Sequence, residues 1–87
     1  MDMWIKVPFE NNLINIDRAR RISVKRAAGN GAKTTYKVIV SIEDAHYTVF
    51  ASDKESDCAA VLEDIFKCID LERPTFTAPM SKLKLSR

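Results

Sequence analysis

The sequence predicts an α+β fold, an antiparallel β-meander of four to five strands packed against one C-terminal helix. Three observations predict it. Short runs rich in β-branched and aromatic residues recur up to residue 51, separated by turn signals such as Asn11-Asn12, Asn30-Gly31 and Glu43-Asp44. Beyond them the apolar spacing becomes helical, with Cys58, Val61, Leu62, Ile65, Phe66 and Ile69 forming one stripe. A chain of 87 residues, 46% hydrophobic and 30% charged, has room for one thin core and is too apolar to be disordered throughout.

The elements follow in order. Trp4-Ile5-Lys6-Val7 is a β-prone run stopped by Pro8, and Leu13-Ile14-Asn15-Ile16 pairs with it across Asn11-Asn12. These give strands near 3–7 and 12–16. Asp17 opens a short turn, because its carboxylate accepts from backbone amides two residues on. A third strand, 20–27, alternates Ile22 and Val24 against Arg21, Ser23 and Lys25. The Gly29-Asn30-Gly31 tip accepts positive φ and makes an exposed hairpin end.

The fourth strand, 34–42, puts Tyr36, Val38, Val40 and Ile42 on one face, and the fifth, 46–51, continues with Tyr47, Val49 and Ala51. Simple alternation leaves Ile39 and Phe50 on the solvent side. Two apolar residues there predict that the second face is also covered, by the C-terminal tail, by a curled part of the sheet, or by a second subunit.

The helix is expected over 53–71. Ser52 or Asp53 caps it, and Ser52 with Glu55 has capping-box spacing. It ends before Pro74, since the residue preceding a proline avoids helical dihedrals. Cys58, Leu62, Ile65 and Ile69 should pack on Ile22, Val24, Tyr36, Val38, Val40 and Val49, so that Leu62→Asp would unfold the domain. This defines one domain, 1–73, and a basic tail, 74–87, expected to dock on the same chain or on a partner.

Charge is the clearest departure from randomness. Arg18, Arg20, Arg21, Lys25, Arg26, Lys33 and Lys37 fall in a segment with no acid, whereas Val38 to Glu72 holds nine acids against two bases. The net charge of +2 conceals this separation. Two readings compete. The opposed blocks are complementary patches that meet within one chain or between two copies. Alternatively, the basic strand and hairpin meet nucleic-acid phosphates through Arg18, Arg21, Lys25, Lys33 and Lys37. Against the second, only Tyr36 interleaves with the basic run, and alternation places it in the core.

Chemistry-bearing constellations are sparse. One histidine and two cysteines cannot supply the four ligands of a structural zinc. Cys58 and Cys68 lie ten residues apart on one helix, about 15 Å along its axis, too far to bridge. His46 in its turn lacks an evident nucleophile. Glu43-Asp44 and Glu63-Asp64 are sequence neighbours that do not converge on one substrate. Gly29-Asn30-Gly31 lacks phosphate-loop spacing and precedes a strand. Neither a catalytic residue nor a cofactor site is expected.

The order of Trp4-Ile5-Lys6, Leu13-Ile14-Asn15-Ile16-Asp17, Tyr36-Lys37-Val38-Ile39-Val40 and Ser52-Asp53-Lys54-Glu55 resembles small bacterial and phage-borne proteins built from a meandering sheet and a C-terminal helix. The resemblance spans roughly residues 3 to 70 and implies the same fold in a bacterial cytoplasm. It carries no activity, cofactor or site residue.

The expected function is therefore a non-enzymatic assembly or protein-binding module, self-associating as a homo-oligomer through the sheet and tail. Candidate contact residues are Trp4, Ile39, Phe50, Phe76, Leu83 and Leu85. Trp4 has a second reading as a core residue closing the sheet. No run is long and apolar enough for a membrane helix, and the start has no signal-peptide pattern, so the cytoplasm is the expected compartment. The alternative is a nucleic-acid-binding accessory protein using residues 18–37.

Overall fold

A computed structural model describes residues 3–8, 11–17, 19–28 and 34–80. The chain is an α+β fold in chain order β1 (Trp4–Val7), β2 (Asn12–Asn15), β3 (Ala19–Ala28), β4 (Thr34–Ile42), β5 (Ala45–Ser52), α1 (Glu55–Asp70) and β6 (Thr75–Thr77). Strands β3, β4 and β5 form an antiparallel sheet, the part of the expected meander that is present.

The single meander does not form. Strands β2, β1 and β6 make a separate sheet with β1 in the centre, antiparallel to β2 and parallel to β6. The connection after β2 explains the split. Ile16 N–H donates to the Met3 carbonyl at 3.0 Å, Met3 N–H to Asp17 Oδ1 at 3.1 Å, and Asp17 N–H to Asn15 Oδ1 at 2.9 Å. These bonds close the open end of the first hairpin and turn the chain away before β3 begins. The other edge of β1 is taken by residues 75–77, where no periodicity announced a strand. Trp4 N–H donates to the Pro74 carbonyl at 2.9 Å and Ala78 N–H to the Lys6 carbonyl at 2.8 Å, fixing that register. Residues 81–87 lie outside the described residues.

The core sits between the two sheets and the helix. Ile5, Val7, Ile14 and Ile16 come from the small sheet and its flank, Val38, Val40, Val49 and Phe50 from the large one, and Cys58, Val61 and Ile65 from α1. A bulge in β5 corrects the expectation for Phe50. Val38 pairs with Phe50 while Ile39 pairs with Thr48, so Val49 is an extra residue. The phase of the strand shifts there, and Val49 and Phe50 are both buried against the helix side. Phe50 is thus a core residue. Ile39 stays on the outer face in register with Ser23 and Thr48, half-buried and outside the core cluster.

The helix start also differs from the expected box. Lys54 is the N-cap residue, without a side-chain cap. Ser52 is fully buried instead, its hydroxyl accepting from Lys54 N–H at 3.1 Å and donating to Asp57 Oδ2 at 2.7 Å. It ties the end of β5 to the first turn of α1. At the far end Glu72 takes φ 55, its N–H donates to the Ile69 carbonyl at 3.0 Å, and Arg73 N–H donates to the Cys68 carbonyl at 2.9 Å. This is a Schellman stop with glutamate in the left-handed position that usually holds glycine.

Candidate interaction surface

The helix carries more apolar surface than its sheet covers. Taking 3.6 residues per turn, the stripe from Val61 to Phe66 subtends about 140° of the helix circumference. Val61, Ile65 and Cys58 point into the core and are buried. Leu62 and Ile69 lie on the flank of that face, and Phe66 stands about 100° around from Ile65. Leu62 is half-buried, Ile69 is 46% exposed and Phe66 60% exposed. The expectation that Leu62 sits mid-stripe is corrected accordingly.

This flank faces the outer strand of the large sheet. Ile22 of β3 joins Leu62, Ile65, Phe66 and Ile69 in an open apolar groove of about 450 Å³, with Glu63 on its helix-side rim. Strand β3 is an edge of its sheet, paired only with β4 among the described residues. On it, Arg20 and Arg26 are exposed, Arg20 at a bulge where Ala19 takes the place opposite Ile42. Arg26 is in register with Tyr36, on the side that carries the helix. The groove therefore has an apolar floor, and Glu63 is the charged residue in its lining.

The other expected contact residues are dispersed. Trp4 is 39% exposed on the outer face of the small sheet, where Leu13, 65% exposed, is in register with its neighbour Lys6. Phe76 of β6 is half-buried and packs against the core. Leu83 and Leu85 lie outside the described residues. Of the basic set, Arg21, Lys25 and Lys37 share the outer face of the large sheet, with Lys25 directly opposite Lys37. Arg18 and Lys33 lie outside the described residues. Compared with known family models, curated proteins and solved structures, the chain matches none.

Burial, with Asp57 and Glu55 adding to it, pushes the Cys58 thiol above its ordinary range, which disfavours the nucleophilic thiolate. His46 Nδ1 lies 2.8 Å from Ser41 Oγ, a partner that the spacing of the two in sequence did not suggest. The two are cross-strand neighbours beside the β4–β5 turn. Among the described residues no carboxylate orients the imidazole, and no group of metal-ligating side chains gathers. Nor, among these residues, is any helix long and apolar enough to cross a bilayer.

Periodicity alone places Ile69 in the core with Leu62, and Phe66 on the same apolar stripe. The available signal was the width of the stripe: three strands cover one face of a helix, and six apolar positions over about three turns exceed it.

Proposed function

We propose that this chain is a non-enzymatic assembly module that self-associates. One observation supports the reading: Leu62, Phe66 and Ile69 form an apolar strip beside Ile22 that is open among the described residues. Exposed side chains of this size placed contiguously mark an association surface, because covering them removes apolar area from water. The thin core of a chain this short adds to the gain from doing so.

The solution mass tests it. Light scattering is expected to show a dimer at micromolar to millimolar concentration, and Phe66→Glu, at an exposed position, is expected to return the monomer with an unchanged thermal melt. A wild-type protein that remains monomeric across that range overturns the reading.

A second reading is favoured by one specific arrangement. Lys25 and Lys37 are placed side by side on the face that Arg21 shares, and like charges directly opposite each other on a sheet are unfavourable unless an anion lies over them. A nucleic-acid backbone supplies such anions. This reading predicts a salt-sensitive gel shift that the double variant Arg21→Glu with Lys25→Glu abolishes. Absence of any shift from the parent protein at low salt eliminates it.

A further inference from the structure

We infer, on the nucleic-acid reading above and independently of self-association, that the outer face of the β3–β4–β5 sheet takes the two phosphate rows of a B-form DNA duplex and holds them without reading bases.

The register assembles this face from three strands. Ile22 and Val24, with Val38 and Val40, turn to the helix side, so Arg21, Ser23 and Lys25 turn away from it. Ser41, Ile39 and Lys37 stand opposite those three on β4, and His46 and Thr48 continue the first two rows on β5. These positions carry three cationic side chains, Arg21, Lys25 and Lys37, and no carboxylate. Glu43 and Asp44 occupy the turn beyond β4, and Asp53 follows β5, all off the sheet.

Two features distinguish the face from an ordinary solvated one. Lys25 and Lys37 are directly opposed on strands about 5 Å apart, a pairing that an anion laid over both turns from a cost into a contact. Ser23 Oγ, between Arg21 and Lys25 on the same strand, is buried and has no hydrogen-bond partner. A hydroxyl left unpaired beneath two long cationic side chains finds an acceptor when those side chains reach out to a phosphate.

The layout selects a duplex over a single strand. Single strands are held by stacking successive bases on aromatic rings. Tyr36 packs against the core, and Tyr47 is in register with Val40 on that same side. The outer face has the His46 ring at its margin, bonded to Ser41, and Ser23, Ile39 and Thr48 across its middle. The Arg21 row and the Lys25–Lys37 row lie four residues apart along β3, about 13 Å at the rise of a strand. The major groove of B-DNA parts its two phosphate rows by about 12 Å, whereas that of an A-form helix is narrow. With Ile39 between the cationic rows and no side-chain amide or guanidinium there to pair with a base edge, the contact is made to the backbone alone.

Fluorescence anisotropy of the full chain tests this with short labelled DNA duplexes of two unrelated sequences, one of their single strands, and the RNA duplex of the same sequence. Contacts of this kind give a Kd of about 10⁻⁴–10⁻⁶ M, so the titration begins at low salt and extends to the weak end of that range. The two DNA duplexes are expected to bind equally, and the single strand and RNA duplex at least about fivefold more weakly. Affinity is expected to fall with salt on a log–log slope of about −2.7, from 0.9 for each of three phosphates. Lys25→Gln, at an exposed position, is expected to weaken both DNA duplexes alike and to reduce that slope by about 1. Its melt is expected at or above the parent's, because the repulsion from Lys37 is relieved. Absence of binding to any of these nucleic acids at low salt overturns both this inference and the nucleic-acid reading. Preference for the single strand or the RNA duplex, discrimination between the two DNA sequences, or an unchanged slope in Lys25→Gln overturns the duplex inference alone. Poly-glutamate that binds the parent as tightly as DNA does also overturns it, and makes the face a site for an acidic protein segment.

Discussion

Ile65→Asp is expected to leave the chain without a cooperative unfolding transition. Ile65 is 1% exposed at the centre of the helix face that meets the large sheet. Removing its side chain forfeits about 2–5 kcal/mol of transfer and cavity free energy. A carboxylate in its place has no partner in an apolar shell of Val38, Val40, Val61 and Phe50, and burying it adds several kcal/mol more. A domain of this size is stable by about 4–13 kcal/mol in all, at roughly 0.05–0.15 kcal/mol per residue. The substitution alone therefore approaches or exceeds the whole margin. Leu62→Asp provides the contrast. At the groove its carboxylate reaches water, so the expected loss is small and the fold persists. Far-ultraviolet circular dichroism with a urea titration distinguishes the two. A sigmoidal Ile65→Asp transition close to the parent's would show that the helix does not pack on the sheet through this face.

How much of this architecture was legible differs from element to element, for physical reasons. Strands β1 to β5 and helix α1 were placed within two residues at each end, because alternation, helical spacing and the turn signals between them are local properties of the chain. Their partners were not legible. Period-two alternation shows that a segment is a strand and says nothing of which edge it meets, so a hairpin and a three-stranded sheet looked like one meander. Strand β6 is only three residues long, and its pairing with β1 spans most of the chain. No local pattern encodes it. The groove was half legible. Leu62, Phe66 and Ile69 were recognised as apolar and helical, and the acids of the helix as part of an opposed charge block, but the opening of the groove between α1 and β3 was not. That Ile22 lines this groove beside the helix depends on β3 being an edge, which only the pairing of the strands reveals.

The bulge at Val49 leads to the second large effect. An unbroken β5 would have turned Phe50 to the outer face with Thr48 and His46, where truncation of its ring would cost little. The extra residue instead brings Phe50 opposite Val38 on the helix side, with Val49 buried beside it. Two consecutive apolar residues then face the same core, which regular alternation forbids and a bulge permits. Phe50→Ala is accordingly expected to destabilise by about 3–5 kcal/mol, the cost of removing a fully buried aromatic ring and leaving a cavity. Ile39→Ala serves as the reference, since Ile39 stays on the outer face and only part of its side chain is withdrawn from water. Its expected cost is about 1 kcal/mol, less than half of that for full burial of an aliphatic side chain. Urea midpoints at constant slope measure both. If the two substitutions prove equally mild, Phe50 lies on the outer face after all and the strand is regular. In that event a second covered side of the sheet again becomes the reason for apolar residues there, and the search for a partner surface moves from the α1–β3 groove to the face around Ile39.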